Sequence, residues 1–482
     1  MTGTDYGPPK KEKVKAAPQQ SSEKNAEKNA KKAAAKAAKA AKKEAQRKER
    51  EAREQAKADK LAGIGEDNFG DAPLIASQAI SGKTWNAIES LEPTQSGSQV
   101  RVRGHVHASR NVGKGAFVLI RSSLYSVQCV AFESKSVSKN MISYIAGLST
   151  ESVVDVVGTL STAAEPIDSA TQSKVEIQIT EFHCISKASV AKAFLMEDAC
   201  RPDCGKETDV GAYTGDEAPS ADGLVRPGQE LRLDNRWLDL RTPANQSIFR
   251  IESTVGQLFR ESLLSKGFVE IHTPKIMKGS SEGGADVFTL DYFGQDACLA
   301  MSPQFYKQKA AACSGFEKVF VTGPVFRAEN SHTRRHMCEF TGFDMEMAIH
   351  EHYDEALEVF SDLFISIFDG INERCKDELE RVRKQHPFED LKYLSPTLKL
   401  TYAEGCQLLR EAGIDQDDYD DLSTENEKKL GNIVKEKYDT DFFFMDKYPL
   451  SVRPFYTMTC PEVRLHLILY PILFAFLSSA CI

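Results

Sequence analysis

The stretch FRAENSHTRRHMCEF, residues 326 to 340, sets Arg327, Arg334, Arg335, His332 and His336 between two phenylalanines. The runs around it, KVFVTGPVF and EFTGFDMEMAI, read as two strands joined by a polar loop. Side chains alternate faces along a strand, so Phe340, Gly342, Asp344 and Glu346 fall on one face of the second run, and Arg327 and Glu329 share a face of the first. Thr341, Phe343, Met345, Met347 and Ile349 form the other, apolar face, which predicts the core. The polar face collects a guanidinium, three carboxylates and an aromatic ring around a glycine that leaves room. Such a set suits a nucleotide: Arg for a phosphate, Phe for the base, Glu for an exocyclic amine or a metal. A solvated sheet face laced with cross-strand ion pairs has the same pattern, and the hairpin alone leaves both readings open.

Upstream, MSPQFYKQ has the form of a helix start, with Ser302 as N-cap and Pro303 in the first turn. Gln304, Lys307 and Gln308 then share one helical face, an amide and an ammonium aimed the same way, which fits a small carboxylate substrate. Before them GSSEGGADVF is a Gly- and Ser-rich loop carrying Glu282 and Asp286, of a kind that closes over ligands.

These groups need a scaffold. In ANQSIFRIESTVGQLFRESLLSKGF, the residues Ile248, Ile251, Val255, Leu258, Phe259 and Leu263 make one helical stripe that Gly267 stops. The following VEIHTPKI reads as a short strand interrupted by Pro274, which belongs at an edge or interface. Residues 99 to 185 differ: five β-rich runs separated by Gly, Ser and Asn are the size of an OB-type barrel, a fold that commonly binds single-stranded nucleic acid. On FVLIRSSLYSVQCVAF, Phe117, Arg121 and Gln128 offer a ring, a cation and an amide for such a surface, although spacing alone puts Phe117 in the core. Residues 200 to 230, rich in Asp, Gly, Pro and Ser, suit a hinge.

The net charge of −9 hides an asymmetry. Residues 1 to 60 hold 18 Lys and Arg against 9 Asp and Glu, and the remainder holds 43 against 61. From Lys24 to Lys60 nearly every residue favours a helix, with lysines recurring at steps of three or four. This is either a solvated spacer or an arm that meets RNA phosphates without sequence choice. The 11 cysteines lack disulfide spacing and no apolar signal follows Met1, so a reducing, cytoplasmic compartment is expected. Cys200 and Cys204, with His183 and Cys184 upstream, lack the second ligand pair of a zinc site and read as ordinary thiols.

Together SEGGADVF, SPQFYKQ and GPVFRAENSHTRRHMCEFTGFDMEM resemble the catalytic core of class II aminoacyl-tRNA synthetases, specifically the eukaryotic cytosolic aspartyl-tRNA synthetases. RLDNRWLDLRTP, GFVEIHTPKI and FFFMDKYPLSVRPFYTM extend the likeness, which runs from about Val100 to Met458. The resemblance implies an α+β multidomain chain, with an OB-fold barrel and an antiparallel catalytic sheet flanked by helices. The expected domains are a basic extension (1–75), the OB-fold anticodon-binding domain (98–190), a hinge (191–240), an incomplete catalytic domain (241–458) and an apolar tail (459–482). It also implies ATP and Mg2+, L-aspartate and tRNA(Asp) as ligands, and a homodimer with Pro274 at the subunit interface.

Carried over by position, Arg327 would hold the α-phosphate, Phe340 would stack on adenine, and Glu329 would face the nucleotide or the tRNA end. Ser302, Gln304, Lys307 and Asp344 would surround aspartate, under a loop bearing Glu282. Ser331, Arg335 and His336 would approach the tRNA acceptor stem. Phe117, Gln128 and Glu176 would meet the anticodon, which reverses the core placement of Phe117. Asparaginyl-tRNA synthetase is the closest competing reading, and Lys307 favours aspartate, since its buried ammonium would lack an anionic partner with asparagine bound.

After RPFYTM the sequence departs from the family's pattern. The family's magnesium ligands, a further arginine for the amino acid and the Gly-rich strand with its γ-phosphate arginine are not found, so the metal ligands stay unknown. The expectation is a chain inactive in aspartyl transfer, or a non-catalytic RNA-binding protein. From Leu467 to Ile482 the chain is mostly apolar and interrupted by Pro471, shorter than the ~20 residues of a spanning helix. No membrane partner is expected.

Overall fold

A computed structural model describes residues 66–73, 80–202, 224–279, 287–330 and 337–449, with isolated positions at 45, 48–49, 52, 458–459 and 467–468. The basic arm, Glu282, Ser331, Arg335, His336 and nearly all of the apolar tail lie outside the described residues. The chain forms two compact units, residues 1–192 and 193–482.

In the first unit, alternation of β-branched and polar residues builds a barrel. A short strand β1 (Phe69–Asp71) precedes β2 (Gln99–Val112), β3 (Gly115–Ser122), β4 (Tyr125–Phe132), β5 (Val153–Thr162) and β6 (Val175–Ser186). The order β1-β6-β4-β3-β2-β5, closed by pairing of β5 with β6, is the expected five-stranded OB barrel with β1 added in parallel on β6. Val102, Val118, Ile120, Val127, Cys129, Val156 and Ile177 fill its interior. Helix α1 (Lys139–Gly147) adds Met141, Tyr144 and Ile145 to that core, started by Ser138, whose hydroxyl accepts from the Met141 amide at 3.2 Å.

The second unit begins with short helical turns and α2 (Pro243–Ser265), started by Thr242 and Pro243 and ended just before Gly267, whose φ of +83° no other residue type adopts cheaply. Of its predicted stripe, Leu258, Phe259 and Leu263 are buried, while Ile248 and Ile251 are only half-buried. The strand read from VEIHTPKI is instead two short ones, β7 (Val269–Glu270) and β8 (Ile276–Met277), which join different sheets on either side of Pro274. β8 pairs with β10 (Gln295–Leu299), which pairs with β9 (Thr289–Tyr292). A short helix, α3 (Gln304–Gln308), runs into a π turn over Lys309–Cys313.

The hairpin read from the sequence is present: β11 (Lys318–Phe326) pairs antiparallel with β12 (Glu339–Met347), and β7 joins β11 in parallel. On its apolar face Phe320, Met345 and Met347 pack with Leu258, Phe259 and Leu263 of α2 and with Leu363 and Ile367 of α4 (Asp354–Arg374). Phe343 meets Phe259 edge-on at 5.0 Å but stays partly exposed, and Ile349 lies beyond the strand and is also exposed, so the core face is narrower than the alternation predicts. After α5 (Lys376–Gln385), a lobe of β13 (Leu398–Thr401), α6 (Tyr402–Glu411), α7 (Thr424–Tyr438) and β14 (Phe443–Asp446) has its own core around Tyr402, Leu409, Leu430 and Met445.

Candidate functional site

The open face of the hairpin follows from its register. Val319, Val321, Gly323 and Val325 stand opposite Glu346, Asp344, Gly342 and Phe340, and residues directly opposite share a face. Buried Val319, Val321 and Val325 make an apolar floor, and polar groups and a ring rise from the second strand. Gly342 has a steric reason to be glycine: a Cβ there would lie 2.9 Å from Asp344 Oδ2 and 3.0 Å from Val325 Cγ2.

α3 lies against this face. Lys307, only 3 % exposed, places Nζ 3.1 Å from Asp344 Oδ1, 3.3 Å from the Met345 carbonyl and 4.0 Å from Glu346 Oε2. Gln304 donates from Nε2 to Glu346 Oε2 at 3.1 Å. The carboxyl of Glu346 is pushed above its usual range, chiefly by burial and also by Asp344, against the opposing pull of Lys307 and Gln304. Ser302 is not the N-cap; Pro303 holds that position, because the helix begins one residue later than read, and the Ser302 hydroxyl accepts from the Gln304 amide at 3.4 Å. Gln304, Lys307 and Asp344 are therefore brought together as expected, with Ser302 at their edge.

Arg327 and Glu329 are not on the strand, which ends at Phe326. They lie just past it, where the Arg327 amide donates to the Cys338 carbonyl at 3.0 Å. The guanidinium nonetheless sits over the Phe340 ring, 5.6 Å from its centroid, and 4.0 Å from Glu329. One end of the face thus offers a ring and a guanidinium, the other an ammonium with two carboxylates. Ala300 stitches the surroundings together: its amide donates to the Lys275 carbonyl at 2.9 Å and its carbonyl accepts from the Phe326 amide at 3.0 Å. Among the described residues no three metal-ligating side chains converge. The donor set here does not fit a resident magnesium ion, Asp344 and Glu346 being engaged by Lys307 and Gln304.

On the barrel, Phe117 lies outside the core, half-buried, with the Arg110 guanidinium 5.0 Å from its ring centroid and Phe132 edge-on at 5.7 Å. The placement from spacing alone is overturned because Ala116, Val118 and Ile120 are the inward set on β3. Gln128 and Glu176 are direct partners across β4 and β6, and Gln128 Nε2 donates to Glu176 Oε2 at 3.3 Å. Gln178 donates to the other carboxylate oxygen at 2.8 Å. It was missed, although its spacing of two from Glu176 in VEIQIT puts it on the same face. Arg121, read as a surface cation, is buried instead, donating to both oxygens of buried Glu151 at 3.0 and 2.8 Å, with His107 Nδ1 at 2.7 Å. A guanidinium paired with a buried carboxylate reads as a barrel strut rather than a ligand contact.

Residues 228–469 match the family described as tRNA synthetases class II (D, K and N), and residues 100–185 match the OB-fold nucleic acid binding domain. The chain is 47% identical over 415 residues to "Aspartate--tRNA ligase 2, cytoplasmic" of Arabidopsis thaliana, a match covering 83% of this chain and 73% of the plant protein. The solved structure of an aspartyl tRNA synthetase from Entamoeba histolytica superposes with a TM-score of 0.74 at 41% identity, over 84% of this chain and 79% of that one. An asparaginyl-tRNA synthetase from Pyrococcus horikoshii, complexed with asparaginyl-adenylate, is more distant, with a TM-score of 0.63 at 27% identity over 80% of this chain and 79% of that one.

Proposed function

The chain belongs to the aspartate–tRNA ligases of the class II tRNA synthetase family, and from that premise we propose that the hairpin face binds ATP and L-aspartate side by side. An aspartate α-carboxylate oxygen attacks the α-phosphorus of ATP, the bond to the bridging oxygen breaks, and pyrophosphate leaves. The terminal ribose hydroxyl of tRNA(Asp) then attacks the aspartyl carbonyl and AMP leaves. In this reading Arg327 holds the α-phosphate and Phe340 stacks on the adenine. Glu329 orients the guanidinium and faces the nucleotide, and Ser302, Gln304, Lys307 and Asp344 seat the amino acid. No side chain has to be a nucleophile, because the substrate brings its own. The protein's part is positioning and preorganised charge. Magnesium would enter with ATP as part of the substrate and would neutralise its phosphates.

One observation carries the reading: a buried ammonium, Lys307, is held by Asp344 on the same sheet face as a guanidinium stacked on a phenylalanine. A core lysine needs one partner; the second, separate cation and ring are what a two-substrate site requires. The test is aspartate-dependent exchange of pyrophosphate into ATP by the pure chain. Lys307→Met is expected to lower it by at least about 100-fold. Exchange that persists in that variant would remove Lys307 from the site.

For the barrel we propose that Phe117 stacks on an anticodon base and that Gln128 and Glu176 read its neighbours. A second reading, tRNA binding without ligation, draws on the barrel's closed core, whose described members all belong to the first unit. It predicts salt-sensitive tRNA binding by the full chain with no aspartate-dependent exchange.

A further inference from the structure

Lys307 is not the bare cation that a choice of aspartate over asparagine seemed to require, because Asp344 already lies 3.1 Å from its ammonium. A second lysine on the face is differently placed. Lys275 follows Pro274, and its backbone is fixed by the Ala300 amide and by the start of β8 on β10. A Cβ built at Gly323 would lie 3.6 Å from both Cε and Nζ of Lys275, so the lysine fills the space that a side chain at 323 would take. Gly323 stands opposite Gly342, so this end of Lys275 lies over the open face, midway between Phe340 and Asp344.

The Lys275 ammonium reaches a neutral hydroxyl, Thr273 Oγ1, at 3.2 Å. Among the described residues no carboxylate lies within 4.0 Å of it, whereas Lys307 has Asp344 and Arg327 has Glu329. Burial holds its pKa below the usual lysine range, and Asp344 is the charge that opposes this. A partly buried ammonium with only a neutral partner is poised for an anion.

We infer that Lys275 is a substrate-binding residue whose ammonium receives a carboxylate of the amino acid. The inference rests on the reading of this face as the aspartate site. The amino acid rather than a phosphate is its partner because the Asp344 carboxylate leans over Gly342, directly opposite the Gly323 that Lys275 covers. Aspartate also brings two carboxylates to a pocket where Lys307 is already shared.

The test is equilibrium dialysis of radiolabelled L-aspartate, and separately of ATP, against the full chain and its Lys275→Met and Lys275→Arg variants. Lys275→Met is expected to weaken aspartate binding at least about tenfold, to leave ATP binding within about twofold, and to be largely rescued by Lys275→Arg. Equal aspartate binding by the wild type and the Met variant, or a loss confined to ATP, overturns the inference and spares the site. Parallel loss of both ligands with a lowered unfolding temperature marks a structural role and also overturns it; if the Met variant does not fold, Lys275→Gln decides by the same criteria. A wild-type chain that binds no aspartate sinks the site reading, and the inference falls with it.

Discussion

On the barrel, Phe117, Gln128 and Glu176 stand on the outside of a core that is complete without them. On the β11–β12 face, Lys307, Asp344 and Glu346 are set against the valines that floor the sheet. The barrel closes through ladders from β2 round to β5 and β6, and the polar groups on its outer face bond to one another, with Glu176 accepting from both Gln128 and Gln178. The β11–β12 sheet has three strands among the described residues, and the charges on its open face are partly withdrawn from water, which raises the Glu346 pKa and lowers that of Lys275. A surface that reads bases by stacking and hydrogen bonds works while solvated. A surface that must stabilise charge in a transition state gains from low dielectric and takes its cost in folding energy. The comparison predicts that stability and ligand binding are separable in the first unit and coupled in the second.

The largest effect should come from breaking the barrel at a residue with no ligand role. Arg121→Met takes the guanidinium from the buried Glu151 carboxylate, which costs about 3–5 kcal/mol. Thermal unfolding followed by circular dichroism should show the barrel's transition lowered by many degrees. An unchanged transition would mean that the pair is no strut. Phe117→Ala should do the reverse: about 1–3 kcal/mol lost in tRNA affinity, with the unfolding temperature and aspartate-dependent pyrophosphate exchange left as they were. If exchange falls together with tRNA binding, the separation between the units is wrong.

The contrast also explains what was legible in the sequence. Alternation located β11 and β12 and sorted Phe340, Gly342, Asp344 and Glu346 onto one face, because a period of two survives any packing. It also overreached: Arg327 and Glu329 kept the period of a strand that had ended, since period alone does not mark where pairing stops. Arg121 was misread for a related reason. Its outward position on β3 is correct, but its partner Glu151 lies in a separate segment 30 residues on, which no local pattern reveals. Phe117 illustrates the limit from the other side, since an aromatic residue in a strand is ordinarily core and only the family likeness moved it out. Lys275 had no local signal, because its placement depends on Gly323 and Ala300, distant in sequence.

The smallest effect is the finest test of the coupling on the β11–β12 face. Glu346 has its folded pKa raised above the ordinary value of 4.5, mainly by burial. Between 4.5 and that raised value the folded chain binds more protons than the unfolded one, so this group makes stability fall as pH rises. The cost is complete above the folded pKa and absent well below 4.5. Glu346→Gln removes the titration while keeping an oxygen that accepts from Gln304. The variant should therefore match the wild type at low pH and gain on it in Tm as pH rises towards neutrality. The difference between the two proteins is the quantity to follow, because the other carboxylates titrate equally in both. A gap that stays flat with pH, or that favours the wild type as pH rises, would show that Lys307 and Gln304 fully offset the burial of Glu346, leaving this face no more strained than the barrel's.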